Sequence, residues 1–249
     1  LTGKTALITG GSKGIGRAIA LRFARAGADL FLCSRGEETL KQTAESIAEE
    51  TGRVVRYRAA DMANRTEVVR TAEAALEECG KIDILVNNAG HNIPASIDRI
   101  EDDDWDHLVE LNLNAVMVMT RAIVPTMKEN GWGRVIHISS VMGLGSTPQR
   151  NAYSATKAAL IGMVRATSLD LGPFGITVNC LAPGPIATEM PMSILSKEQQ
   201  ESFAARTAVK RWGTPEEIAG PALMMASEAG SYITGTTLLI DGGVLANVF

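Results

Sequence analysis

Thr5-Ala6-Leu7-Ile8-Thr9-Gly10-Gly11-Ser12-Lys13-Gly14-Ile15-Gly16 runs from a short apolar segment straight into a glycine loop. The apolar part does not alternate with polar residues, which suits a strand covered on both faces. From Arg17 onward the pattern is helical. Glycines between a strand and a helix allow a tight turn and close approach of a ligand to the backbone. The helix N-terminus that follows offers free N–H groups and the positive end of its dipole, which suits the phosphates of a dinucleotide. A glycine cluster alone is weak evidence. Its place between a first strand and a first helix makes it informative.

Six further apolar runs follow: Leu30–Cys33, Val54–Ala60, Ile84–Asn87, Arg134–Ile138, Ile176–Ala182 and Thr237–Ile240. Helical patterns separate most of them. Such alternation predicts an α/β fold, one doubly wound Rossmann domain over residues 1–249 with a parallel sheet of about seven strands and helices on both faces. Leu108–Met127 and Tyr153–Leu171 carry apolar residues nearly all round. A helix of that kind is covered on more than one side. A second subunit or the chain's own loops can provide the cover, and the first predicts a homo-oligomer.

Of 249 residues, 45% are hydrophobic and 21% charged, as in ordinary globular proteins. The net charge of -4 argues against nucleic acid or an anionic membrane as the main partner. No window reads as the ~20 consecutive apolar residues of a membrane span. Cys33, Cys79 and Cys180 are scattered and show no metal-ligand spacing, which fits a reducing compartment. The start of the chain lacks a signal-peptide pattern, so a cytoplasmic location is expected. The sequence begins at Leu1, so an initiator Met and a few residues are expected before it. His91, His107 and His137 are isolated, and no metal is expected.

A dinucleotide unit that selects NAD places an acidic residue about twenty positions beyond the glycines, where it binds the ribose 2′-hydroxyl. Here that place holds Ser34, followed by Arg35. Arg35 can pair with a 2′-phosphate, Ser34 can donate to it, and Lys13 adds a second cation. Arg35 alone would read equally well as a solvated surface charge.

Tyr153 and Lys157 stand at i and i+4 of a helical pattern and share a face. A phenol titrates near ~10, too high for efficient proton transfer at neutral pH, and a nearby cation lowers it. A lone Tyr/Lys pair is usually a surface coincidence. Ser140, however, follows the Arg134–Ile138 run, thirteen residues before Tyr153. Ligands of open α/β sheets bind at the carboxyl ends of strands, so Ser140 belongs on the cofactor side.

With Thr9-Gly10-x-x-x-Gly14-x-Gly16, Asn87-Asn88-Ala89-Gly90, Ser140, Tyr153-x-x-x-Lys157 and Pro183-Gly184 in this order, the chain resembles the short-chain dehydrogenases/reductases along nearly its whole length. The resemblance implies an NADP(H)-dependent enzyme acting on a secondary alcohol or ketone. Tyr153 would be the acid and base, Ser140 would bind the substrate oxygen, and Lys157 would bind the nicotinamide ribose and lower the Tyr153 pKa. Asn112 would hold a water of a proton relay. Gly10, Ser12, Lys13, Gly14, Ile15 and Gly16 would meet the diphosphate end. Asp61 and Met62 would meet the adenine, and Asn88, Ala89 and Gly90 the ribose. Pro183, Gly184, Ile186 and Thr188 would meet the carboxamide. Ser34-Arg35 matches the NADPH-preferring pattern, and the family implies a tetramer.

Residues 185–206 are expected to form a substrate lid. Met190, Pro191, Met192, Ile194, Leu195 and Phe203 would make it apolar, with His91 and Asn92 adding polar contacts. Two narrower resemblances compete. One is to 3-oxoacyl-carrier-protein reductases. The other is to gluconate-type dehydrogenases, through Arg211-Trp212-Gly213-Thr214-Pro215-Glu216-Glu217. Carrier-protein reductases are expected to carry basic docking residues at two places that here hold Gly131 and Phe174. The expected substrate is therefore a small ketone or keto sugar acid. An NADP(H)-binding regulatory protein without turnover is the non-enzymatic alternative, against which the intact Tyr153 and Lys157 argue.

Overall fold

The computed structural model describes residues 1–246, apart from the side chains of Met190 and Ile194. Its sheet is built from β1 (Thr5–Thr9), β2 (Asp29–Ser34), β3 (Val55–Ala59), β4 (Ile84–Asn87), β5 (Gly133–Ile138), β6 (Ile176–Pro183) and β7 (Thr237–Ile240). The seven strands are all parallel, in the order β3-β2-β1-β4-β5-β6-β7. Leu7 of β1 is level with Phe31 on one side and Leu85 on the other. The chain direction across the sheet reverses between β1 and β4, and a crevice opens there at the strands' carboxyl ends.

The helices are α1 (Gly14–Arg25), α2 (Glu37–Thr51), α3 (Arg65–Cys79), α4 (Asp102–Val109), α5 (Ala115–Asn130), α6 (Asn151–Leu171), α7 (Glu189–Ile194), α8 (Lys197–Arg206) and α9 (Pro215–Ala226). Successive strand residues point to opposite faces, which sorts them into two cores. Leu7, Phe31, Leu85, Val135 and Val178 meet α3, α5 and α6. Ala6, Ile8, Leu30, Leu32 and Ile136 meet α1 and α9. Each fully buried Leu, Ile or Phe contributes about 1.5–3 kcal/mol. Continuous apolar strands are thus the direct signature of a sheet covered on both sides.

The helix predicted from Arg17 starts at Gly14. The end of the glycine loop is its first turn, so the loop itself presents the unpaired N–H groups. A five-residue π-helical turn, Glu110–Asn114, links α4 to α5. The resulting 29-residue helical rod has a window of mean hydropathy 1.3, enough by length and composition to cross a membrane. Half of that window is buried inside the fold, in the core with α3. Helix α6 buries Leu160, Ile161, Val164 and Leu171, while Ala155, Ala158, Gly162 and Ala166 on its other side are exposed, and Leu169 is 78% exposed. The described loops of the chain leave that second face uncovered.

Candidate active site

A cleft of about 930 Å³ lies along the carboxyl ends of β1, β2, β4, β5 and β6. The glycine loop forms one wall, and its shape depends on having no side chains. A Cβ on Gly10, where φ is +65°, would come within 2.7 Å of Asn88 Nδ2, and one on Gly14 within 3.1 Å of Thr188 Cγ2. Gly16 does not line the cleft. Its Cβ would collide with the Gly10 carbonyl, so it is the glycine that lets α1 pack against the loop. No side chain caps α1, and its first turn holds no acid, which leaves N–H groups to meet an anion. Loop, helix end and cleft together fit a dinucleotide.

Asn88 ties this wall to β4. Its Nδ2 donates to the carbonyls of Thr9 (2.9 Å) and Gly10 (3.1 Å). Thr9 Oγ1 accepts the backbone N–H groups of Asn88 and Ala89, at 3.0 Å each. The Asn88 amide, expected along the ribose, is therefore committed to holding the loop, although the residue still borders the cleft. Asp61 and Met62 border it too. Asp61 Oδ1 is engaged by the Ala63 N–H at 3.0 Å, and Met62 is buried.

Ser34 and Arg35 stand together at the end of β2. The Ser34 hydroxyl is buried and has no hydrogen-bond partner. Arg35 is exposed and, among the described residues, has no acid within ion-pair distance. An orphaned hydroxyl beside a free guanidinium fits a phosphate. Lys13 is a different matter. Its Nζ lies 3.2 Å from Glu189 of α7, with both side chains well exposed. The second cation is thus paired across the cleft mouth, by a contact worth little in water.

The other wall carries the acid-base residues. Ser140 lies two residues beyond β5 and caps a short 3-10 turn, Val141–Gly143, by accepting the Met142 N–H at 3.1 Å. The turn presses closely on α6: a Cβ on Gly143 would lie 2.8 Å from the Lys157 carbonyl carbon and oxygen. Ser139 Oγ clamps the same place by donating to Lys157 O at 2.8 Å. These two contacts, from residues that the motif reading passed over, set Ser140 against Tyr153. The Ser-Ser pair at a strand end was visible in the sequence. The need for glycine at position 143 was not.

The Ser140 hydroxyl and the Arg150 charge both favour the Tyr153 phenolate, but burial outweighs them and raises the phenol above its ordinary value. Lys157 Nζ donates to the Ile138 carbonyl at 2.8 Å and lies 5.6 Å from the centre of the Tyr153 ring. Burial drives its own pKa down to about 8. In this arrangement the ammonium is itself destabilised, and the cation acting on the phenol is Arg150. Asn112 is fully buried in the π-helical turn. Its Oδ1 accepts the His91 N–H and its Nδ2 donates to the His91 carbonyl, at 2.9 Å each. A further 3.3 Å bond to Thr156 Oγ1 uses the second Nδ2 hydrogen, so the side chain braces the backbone at His91, next to the Asn87–Gly90 motif.

Pro183, Gly184, Ile186 and Thr188 border the cleft, followed by α7 and α8, the segment expected to form a lid. Gly213 fixes its start: Ala187 N–H donates to Gly213 O at 2.8 Å, and Gly213 N–H to Pro185 O at 2.9 Å. The Arg211–Glu217 pair (2.6 and 2.8 Å) and a capping box from Thr214 hold that strut in place. The stretch from Arg211 to Glu217 is thus a brace for the lid. Among its described side chains, the α7–α8 segment presents fewer apolar groups to the cleft than expected. Pro191 borders the cleft, but Phe203 packs edge-on against Trp212, 5.5 Å away, and Met192 and Leu195 lie off the cleft. Met190 and Ile194 belong to the same expectation, and their side chains lie outside the described residues. His91 and Asn92 do border the cleft. Burial and the charges of Arg35 and His107 keep His91 below its ordinary pKa, hence neutral at pH 7.

The family described as enoyl-(acyl carrier protein) reductase matches residues 10–245. The 3-oxoacyl-[acyl-carrier-protein] reductase FabG of Chlamydia trachomatis is 37% identical over 98% of both chains. Among solved structures, one described as an NAD(P)-dependent gluconate 5-dehydrogenase of Beutenbergia cavernae, with NADP bound at low occupancy, superposes with a TM-score of 0.94. It is 36% identical and covers 99% of this chain and 98% of its own. YwfH, an NADPH-dependent reductase of bacilysin biosynthesis, gives 0.93 at 31% identity, over 98% of this chain and 99% of its own. Fold, motifs and relatives agree: the chain belongs to the short-chain dehydrogenase/reductase family of oxidoreductases.

Proposed function

We propose that the protein interconverts a secondary alcohol and a ketone with NADP(H), and that the whole chain serves as one dinucleotide-binding and catalytic domain. The observation that carries this reading is the convergence of Ser140, Tyr153 and Lys157 in the cleft that the glycine loop opens. When bound, the nicotinamide supplies or accepts the hydride. In the reducing direction the Tyr153 hydroxyl gives its proton to the carbonyl oxygen, and the Ser140 hydroxyl donates to that oxygen as it gains charge. In the oxidising direction the phenolate takes the proton back. A raised phenol pKa keeps Tyr153 in the protonated form that reduction uses and leaves little phenolate for oxidation at pH 7. Lys157 would bind the ribose hydroxyls by turning from the Ile138 carbonyl, and Ser34 with Arg35 would hold the 2′-phosphate. The support for NADP(H) is the unpaired Ser34 hydroxyl beside the unpaired Arg35.

The substrate reading is a small ketone or keto sugar acid. The gluconate dehydrogenase likeness and the missing basic residues at Gly131 and Phe174 support it. The Chlamydia relative supports a second reading, reduction of an acyl group held on carrier protein. Lys128 Nζ stands 4.5 Å above the exposed Phe174 ring, so one cation does occupy that surface. The uncovered face of α6 supports a homo-oligomer, a tetramer by the family's habit, and the unpaired cysteines are compatible with the cytoplasm. The test is consumption of NADPH with a panel of small ketones, keto sugar acids and acyl thioesters. Turnover of one class supports the reading. Binding of NADPH with no turnover across the panel points to the regulatory alternative.

A further inference from the structure

Arg150 was not among the residues that the motifs single out, yet among the described residues it is the one cationic side chain that borders the cleft beside Tyr153 with no hydrogen-bond or ion-pair partner of its own. It sits at the N-cap of α6, three residues before Tyr153, in a cleft shared with Ser140, His91 and Asn92. Its Nη1 is buried and has no hydrogen-bond partner. Among the described residues no carboxylate lies within ion-pair distance of it. The two acids that border the cleft are Asp61, held at the β3 end, and Glu189, paired with Lys13. His91 is neutral at pH 7, so it does not compete for an anion as a second cation.

The backbone that presents Arg150 is fixed from both sides. Ala95 N–H donates to Gln149 O at 3.1 Å, and Ser154 N–H to Arg150 O at 2.7 Å. Asn151 Nδ2 reaches Ala95 O at 3.2 Å, and Ala95 and Arg150 form an isolated parallel bridge. Gln149 is held at φ +66°, a left-handed conformation that side-chain-bearing residues rarely adopt. Asn92 Oδ1 is a second buried polar atom here without a partner. A buried guanidinium N–H left unbonded is unfavourable, and an anionic oxygen satisfies it.

We propose that Arg150 is a substrate-binding residue that holds a carboxylate of the substrate, so that the enzyme acts on an oxo acid and the matching hydroxy acid. The proposal rests on the oxidoreductase reading above and adds the substrate class and the residue that selects it. Tyr153 and Ser140 hold the carbonyl, Arg150 holds the acid group a short distance away along the substrate, and the neutral His91 and Asn92 are left for its polar substituents. A planar guanidinium matches the two oxygens of a carboxylate. A phosphate or phosphonate offers the same anionic oxygens, and the test separates the two.

The probes are pyruvate, acetoacetate and levulinate, the methyl ester of each, and 2-oxopropylphosphonate. Each is titrated calorimetrically into protein saturated with NADP+, where no turnover occurs, and each is then assayed with NADPH. The variants are Arg150→Met and Arg150→Lys. At least one oxo acid is expected to bind the wild type about 10- to 100-fold tighter than its ester, the range for hydrogen bonds to a charged group. In Arg150→Met that ratio collapses towards one, and Arg150→Lys restores part of it. The same ratio appears in KM rather than kcat. An acid-to-ester ratio near one in the wild type, or a ratio unchanged in Arg150→Met, overturns the proposal. A preference for the phosphonate alone overturns the carboxylate assignment. Equal losses for acid and ester in Arg150→Met, with a shifted pH profile, would show that Arg150 acts only through its charge on Tyr153 and overturn the proposal. Failure of the oxidoreductase reading shows separately, as selective binding of the acid without NADPH consumption.

Discussion

Lys157 Nζ donates to the carbonyl of Ile138 at 2.8 Å, which anchors the middle of α6 to the end of β5. The bond explains how a lysine that is 4% exposed is tolerated, and it places a titrating ammonium at the floor of the cleft. Burial brings its pKa to about 8 from an ordinary 10.5. Between those values the unfolded chain holds the extra proton, so this group's contribution to stability rises with pH across that window. Below about pH 8 the fold carries the whole cost of the buried charge, about 3 kcal/mol. Lys157→Met removes it. The variant's stability relative to wild type should be highest below pH 8 and should fall by about that amount by pH 10.5, in urea unfolding at a series of pH values. A difference independent of pH would contradict the burial argument.

Ser34 lies beside Arg35 with its hydroxyl unpaired. Ser34→Asp places a carboxylate where a 2′-phosphate would lie, where it repels the phosphate and accepts a hydrogen bond from a ribose 2′-hydroxyl. The dissociation constant for NADPH should rise at least about tenfold, and that for NADH should fall. Fluorescence titration of both cofactors checks this. Tighter NADH than NADPH binding in the wild type would count against the assignment.

Gly143 lets the Ser140 turn touch the backbone of α6. Gly143→Ala brings a methyl to 2.8 Å of the Lys157 carbonyl group, and neither backbone can yield cheaply. Overpacking of this kind costs about 1–3 kcal/mol, or about 2–10 °C in Tm for a chain of this size. Because the turn carries Ser140, kcat should fall about tenfold or more while NADPH affinity changes little. Unaltered kcat with a lowered Tm would mean that the turn does not set the position of Ser140.

Continuous apolar strands made the sheet legible from the sequence, because Leu7 and Ile8 must face opposite covered sides whatever the loops do. The cleft was legible because its glycines and its Tyr153-Lys157 spacing are local patterns. What escaped depends on distant partners. That Lys13 meets Glu189, that Asn88 serves the glycine loop and that Phe203 turns to Trp212 are decided by residues far along the chain. Arg150 escaped for the same reason: no pattern distinguishes it until the lack of a partner is seen. The rise in the Tyr153 pKa follows from a depth of burial that spacing does not encode.

Gly131 and Phe174, just before β5 and β6, lack the basic pair expected of a carrier-protein enzyme, with Lys128 over Phe174 as the cation present. The same acyl group should therefore be reduced with similar kcat/KM on carrier protein and on a small thiol. A large advantage for the carrier protein, falling steeply with salt, would reveal a docking surface and favour the second reading of the substrate.

Tyr153 as proton donor is the centre of the account, and Tyr153→Phe tests it most directly because it keeps the ring and removes only the hydroxyl. The measurement is NADPH affinity and ketone turnover, made side by side on wild type and variant with the best substrate of the panel. The account predicts NADPH affinity within about twofold and turnover lower by about 10²–10⁴-fold, the usual contribution of a positioned acid or base. Near-normal turnover in Tyr153→Phe would contradict it.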